Sequence, residues 1–431
     1  MRDLFLLLLV LLILFRTIGA PQAGVLGWAW LTLMTPQKLV WGAVSEWQLN
    51  LVLAIVTFLA WFGSREPKRL VMGAPAIFCL LFMAFVTVTT LSSLAPELAW
   101  PRWSLAIKVM ILGLVVAGVM TTQVRIHSLV WISAISLGFY GVKGGIFTLL
   151  TGGHFRVLAP PESFGDNNSL ALALCMILPL MNYLRLQSVH RFVRFGIVTA
   201  MGFTVVGILG TYSRGGLVGL AIMGAYLWWH SRSRFRIALI VVLAAIPIYN
   251  FMPSNWSERM STIQTADSDS SFQDRLQAWQ TEFNIAKARP FLGGGFNASM
   301  SSNVYKKYSL DPTGWPRAAH SIYLEVLGDH GFLGLAIYIC LLISIWHSAQ
   351  SARRKARQSK ELHWVADLAA MTQVSLVSFM VAGAALSMAY YDMVYLLLGI
   401  TLVLKRIATQ SQVQTTAKSS PVVPVLQGAT S

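Results

Sequence analysis

Residues 253–259 read Pro253-Ser254-Asn255-Trp256-Ser257-Glu258-Arg259, and residues 315–320 read Trp315-Pro316-Arg317-Ala318-Ala319-His320. These stretches bracket the one long polar interval of the chain. On either side lies one apolar run after another, from 4–15 through to 391–405. Hydrophobic residues make up 55% of the 431 and charged residues 12%, with mean hydropathy +0.62. A soluble globular protein carries about 25% charged residues. Half that, in runs near the ~20 residues a bilayer needs, describes an all-α polytopic membrane protein. The runs predict about 12 spans and one large, partly helical periplasmic loop. The expected domains are an N-terminal bundle over 1–252, the loop over 253–319, C-terminal spans over 320–408 and a disordered cytoplasmic tail over 409–431. The first two runs are short and read as one broken span or a hairpin.

The net charge is +16. The cations sit mostly in short loops between runs, which points to membrane topology and not to nucleic acid. Basic clusters fall at Arg65/Lys68/Arg69, Arg185/Arg191/Arg194, Arg232/Arg234/Arg236 and Arg353 to Lys360. Neighbouring clusters are an even number of runs apart, so all share one side, the cytoplasm by the positive-inside rule. The opposite, periplasmic side then receives 95–102, 151–167, the turn at Ser213-Arg214-Gly215, the large loop and Tyr390-Tyr391-Asp392. Cys79, Cys175 and Cys340 all fall inside apolar runs, without disulfide or metal spacing.

The loop has structure of its own. Ser271-Phe272-Gln273-Asp274 resembles a capping box. Phe272, Leu276, Trp279, Phe283 and Ala286 then recur at helical spacing, predicting an amphipathic helix with its apolar stripe on the bundle or membrane and Arg275 off the stripe. Pro290 and Gly293-Gly294-Gly295 end it. Asp267-Ser268-Asp269 spells a DxD in a Ser-rich run with no nucleotide-binding context, and reads as solvated loop.

Ionisable residues inside spans are costly, and so are functional candidates. Lys108, Lys143, Glu325 and Asp329 qualify. With Arg156, Arg214, Arg275, Arg317 and His320 they place cations at the outer side, as a phosphate or diphosphate ligand requires. Arg214, beside Tyr212 in Gly210-Thr211-Tyr212-Ser213-Arg214-Gly215-Gly216, opens a helix whose free N–H groups also attract an anion. His320 has a near-neutral unperturbed pKa suited to a general base, which Arg317 is expected to lower. Glu325 and Asp329 are expected to serve folding or to pair the buried lysines.

These motifs resemble the bacterial O-antigen ligase and polymerase superfamily: Ser213-Arg214-Gly215-Gly216, Asp274-Arg275-Leu276-Gln277-Ala278-Trp279, Gly293-Gly294-Gly295-Phe296-Asn297, and Ala319-His320-Ser321-Ile322-Tyr323-Leu324-Glu325 before Gly328-Asp329-His330-Gly331. The N-terminal half is similar to exosortase-associated O-glycosylation ligases through Thr35-Pro36-Gln37 and Pro160 to Asn168. The resemblance implies an inner-membrane glycosyltransferase acting at the periplasmic face. It implies a glycan donor on undecaprenyl diphosphate and an acceptor hydroxyl on lipid A–core, on a protein or on a growing glycan. The essential residues carry over to Arg214, Arg275 and His320. Lys108, Lys143, Arg156, Tyr212 and Arg317 are further substrate-binding candidates, with no cofactor and no metal. A transporter of an anionic substrate is the alternative class, but the chain lacks the repeated halves such proteins show. The topology is testable: a cysteine replacing Ser301 should react with an impermeant thiol reagent in cells with a permeabilised outer membrane, and one replacing Ser359 should not. The reverse pattern would put the site on the wrong side.

Overall fold

The structure, a computed structural model, describes residues 2–66, 68, 71–159, 164–230, 234–235, 239, 250–261 and 270–419. Fifteen α-helices carry these residues: α1 Arg2–Gly19, α2 Pro21–Met34, α3 Leu49–Gly63, α4 Ala74–Leu91, α5 Pro96–Val119, α6 Gln123–Leu150, α7 Asn167–Gln187, α8 Arg191–Gly210, α9 Arg214–His230, α10 Ser254–Ser261, α11 Ser270–Ala288, α12 Ser302–Tyr308, α13 Ile322–Ala356, α14 His363–Ala382 and α15 Asp392–Ser419. Proline in the first turn, where its missing N–H costs nothing, starts α2, α4 and α5. Side-chain caps from Thr122, Asp166 and Ser321 start α6, α7 and α13.

α7 is the central post. Its residues from Ser169 to Met181 are buried without a break, the pattern of a helix apolar all round. It packs on α6, α8, α9 and α14. α1 and α2 form a hairpin broken at Ala20. Among the described residues seven helices are long and apolar enough to cross a membrane, fewer than the dozen read from the runs. The shortfall has local causes. α2, α3 and α9 have 14, 15 and 17 residues, α1 contains Arg2, Asp3 and Arg16, and the run at 237–252 lies largely outside the described residues. So do Asp267-Ser268-Asp269 and Pro160 to Ser163.

The polar loop is locked to the bundle by a broken helix. Within α13, Gly331 takes φ 68 and ψ −174, a conformation that favours glycine. The break exposes the carbonyls of Gly328 and Asp329. The N–H groups of Gly294 and Gly295 donate to them, at 2.8 Å each, and Phe332 N–H donates to Pro290 C=O at 2.8 Å. A Cβ on Gly293 would lie 2.6 Å from the Asp329 carbonyl oxygen, and one on Gly331 2.5 Å from that of Pro290. Glycine is therefore required at both positions. The same turn meets the α4–α5 corner, where Leu94 N–H donates to Gly294 C=O at 2.8 Å and Arg289 donates to Ser92 C=O at 2.8 Å.

Buried acids support this joint. Asp329 accepts from Asn297 N–H at 2.9 Å and from Tyr390 hydroxyl at 3.3 Å. Glu325 accepts from Ala389 N–H at 3.0 Å and pairs with Arg102 at 3.6 Å. Arg102, and neither expected lysine, is thus the cation paired with Glu325. α11 ends at Ala288, just before Pro290, as expected, but its buried face is rotated. Ala278, Thr281, Glu282, Ile285 and Ala286 are the buried residues, while Phe283 is 47% exposed. The cause is Glu282, which accepts from Ser299 hydroxyl at 2.7 Å, and Ile285, which forms a small core with Ala298 and Val304. The side chain of Ser271, the proposed cap, lies outside the described residues. α15 is helical to Ser419, past the boundary expected at 409. Lys355 donates to Thr409 at 3.0 Å and Gln412 to Gln358 at 2.7 Å, holding this last part against the end of α13. The rest of the expected tail, 420–431, lies outside the described residues.

Burial pushes the Glu282 carboxyl up to about 8; the Ser299 bond opposes this and the Glu325 charge adds to it. The folded state therefore holds the Glu282 proton more firmly than the unfolded state. Its contribution is full below the ordinary value of 4.5 and is lost as pH rises to about 8. Protection of the amides at residues 282–300, taken relative to their intrinsic exchange rate at each pH, should fall across that window in the natural protein and stay level in Glu282→Gln. An equal pH dependence in both would remove Glu282 as the cause.

Candidate functional site: a cationic cleft beside a histidine

The site lies at the end of the bundle where α8 turns into α9. The left-handed residue of that turn is Tyr212, φ 58; Gly215 and Gly216 lie inside α9. Ser213 caps α9, accepting from Gly216 N–H at 3.0 Å. Gly216 allows close approach to α7, since a Cβ there would be 2.6 Å from that of Ala171. Tyr212 is held by its hydroxyl, which donates to Gly153 C=O at 2.6 Å. α10 grips the turn from the loop side. Trp256 donates to Leu209 C=O and Arg259 to Tyr212 C=O, each at 3.1 Å. These two residues are three apart on one helix face. From α7, Asn167 donates to Thr211 C=O at 2.6 Å.

A cleft of about 480 Å³ opens there, lined by His154, Arg156, Tyr212, Arg214, Asn255, Glu258 and Arg259. The Arg156 guanidinium lies 5.7 Å over the Tyr212 ring. Three guanidinium groups, one of them bonded to the Tyr212 carbonyl, and the single carboxylate of Glu258 line one polar space at the N-terminus of α9. Such an arrangement suits a phosphate or diphosphate. Burial raises the Tyr212 hydroxyl pKa against the opposing Arg156 charge, so Tyr212 stays neutral in the cleft.

His320 stands just before α13 in the left-handed region, φ 46. Its N–H donates to Ser387 hydroxyl at 2.6 Å. α11 grips the segment that leads to it: Trp279 donates to Ala319 C=O at 2.7 Å, Arg317 pairs with Asp274, and Arg317 also donates to Gln277 at 3.1 Å. Burial and then the Arg275 charge lower the His320 pKa, and the Asp166 carboxylate opposes them. Its imidazole is therefore neutral and can accept a proton at neutral pH. The cation that acts on it is Arg275; Arg317, expected in that role, is engaged with Asp274.

The structure thus brings together Arg156, Tyr212 and Arg214 in one cleft, and Arg275 and His320 in a neighbouring cluster. Asp166 and Asn167, adjacent at the start of α7, reach toward the two: Asp166 faces His320 and Asn167 holds the Arg214 turn. Lys108 on α5 and Lys143 on α6 do not line the cleft. His154, Asp166, Asn167, Trp256 and Arg259 were missed as site residues. Asp166 and Asn167 stood inside a quoted motif, and Trp256 and Arg259 have helical spacing, but nothing local in the sequence says what they meet.

Fold and site together define a multi-pass membrane protein with an anion-attracting end. Residues 199–339 match the family model described as O-antigen ligase, which bears out the resemblance to the O-antigen ligase superfamily. Residues 1–189 match a family of unknown function, DUF5935. No curated protein matches the chain. The O-antigen ligase domain is associated with membrane enzymes that ligate glycans. If His320 acts as a base, the acidic limb of the rate profile should lie below the ordinary imidazole value of 6.5. Arg275→Gln should move the limb up, and Asp166→Asn should move it further down. Shifts of the opposite sign would break the link among the three residues.

Proposed function

We propose that the protein transfers a glycan from undecaprenyl diphosphate to an acceptor hydroxyl at the periplasmic face of the bacterial inner membrane. The observation that carries this reading is the convergence of a neutral His320 and Arg275 beside the cationic cleft of Arg214. A diphosphate-linked sugar arrives already activated, so the protein must position it and stabilise the departing charge. His320 takes the proton of the acceptor hydroxyl. The acceptor oxygen forms a bond to the anomeric carbon while the bond from that carbon to the phosphate oxygen breaks. The electron pair leaves on the diphosphate, whose growing charge Arg214 and Arg275 stabilise, with Arg156 and Tyr212 lining the cleft. One displacement inverts the anomeric centre, and no metal takes part.

Lipid A–core is the favoured acceptor. A protein hydroxyl or a growing glycan would use the same chemistry. Turnover with purified lipid-linked donor tests the scheme, and running it with lipid A–core or with a peptide names the acceptor. His320→Ala should cost about 10²–10⁴ in rate, the usual range for a general base, with donor binding retained. Arg275→Lys keeps the charge but loses the fork, so it should retain part of the activity that Arg275→Ala loses. Normal turnover by His320→Ala would sink the role assignment.

A further inference from the structure

Two grooves that flank α6 take no part in the scheme above. The first, about 730 Å³, runs between α6, α7 and α8 and is almost wholly apolar, with Trp131, Gly138, Ile146, Met181 and Ile197 among its walls. The second, about 710 Å³, lies between α1, the end of α2 and α6, and combines Phe5, Trp30 and Trp41 with three cations, Arg2, Lys38 and Lys143. Phe139 and Lys143 line both. The two grooves flank these residues of α6, and Lys143 puts a cation at the edge of both.

Three observations say what fits. Cations grouped among apolar and tryptophan side chains recognise an anionic head at the membrane interface. Trp41 is 90% exposed in the second groove. Next, the apolar groove does not lead to the Arg214 cleft between α6 and α8. Those helices touch backbone to backbone beside it: a Cβ on Gly207 would lie 2.8 Å from the Gly141 carbonyl oxygen, and one on Gly145 would collide with that of Phe203. Finally, the groove is long. From Trp131 to Ile146 α6 rises about 22 Å at 1.5 Å per residue. A phospholipid chain confined to one leaflet has about 15 Å, half the hydrocarbon core.

We propose that the two grooves act as one channel, a second lipid site, which holds a phosphate-headed polyisoprenoid with its head at Arg2, Lys38 and Lys143 and its tail passing Phe139 to lie along α6 and α8. It lies apart from the Arg214 cleft and serves the carrier lipid on its way to or from that cleft. The choice of lipid rests on the function proposed above. The test is native mass spectrometry of the full chain with sugar-free polyprenyl diphosphate and, separately, phosphatidylglycerol. The natural protein should retain two polyprenyl diphosphates. Lys38→Ala/Lys143→Ala should retain one. Gly138→Leu, which fills the groove without touching charge (a Cβ there meets its nearest neighbour, Met181, at 3.8 Å), should also retain one. Arg214→Ala should lose the other copy. Two copies in both channel variants, or equal displacement by phosphatidylglycerol, overturns the second site. A single copy lost only in Arg214→Ala overturns it as well, and leaves the donor reading intact. A copy that depends on Lys38 and Lys143 alone supports the second site and overturns the donor reading.

Discussion

The structure depends on a helix that is broken where the loop must attach. An unbroken α13 would bond its own carbonyls at Gly328 and Asp329 and leave nothing for the loop to hold. The left-handed Gly331 opens that ladder, and the Gly293–Gly295 turn supplies the N–H groups that close it. A buried carbonyl left unmet costs about 1–3 kcal/mol, so break and turn stabilise each other and neither is useful alone. Because α11 runs directly into this turn, the joint sets where α11 lies against α13. It thereby sets Arg275, on α11, relative to His320, at the head of α13.

The charge at this end is managed by separation. Arg102 and the buried acids Glu325 and Asp329 serve the joint, while Arg317 is spent on Asp274. Arg214 and Arg156 line the cleft, where an anion would meet them. His320 is kept neutral by burial and by Arg275, with Asp166 limiting the effect. A base needs a vacant lone pair and an anion site needs positive charge; Arg275 helps to keep the imidazole neutral, while Arg156 and Arg214 line the neighbouring cleft.

α7 joins the two halves of the chain at the site. It belongs to the N-terminal half, and its first residues reach both motifs of the O-antigen ligase domain: Asn167 bonds the Arg214 turn and Asp166 faces His320. A helix buried on every side has little freedom to shift, so its N-terminus is a rigid reference for groups carried on a turn and on a loop.

Sequence alone determined the helical membrane class, the limits of most apolar helices and the end of α11 at Pro290, and it singled out Arg214, Arg275 and His320 as candidates. These follow from composition, from local rules of helix start and stop, and from short motifs. Tertiary structure decided the rest. The apolar stripe of α11 misjudged its buried face because Glu282 is buried by a partner 17 residues away, which periodicity cannot see. Arg317 looked like a ligand until Asp274 claimed it, and Lys108 and Lys143 looked like partners for the buried acids, of which Glu325 pairs with Arg102. Asp166 and Arg259 gained a place in the site only through elements far away in the chain. A side chain's role depends on what it faces, and spacing along the chain specifies a face but not its partner.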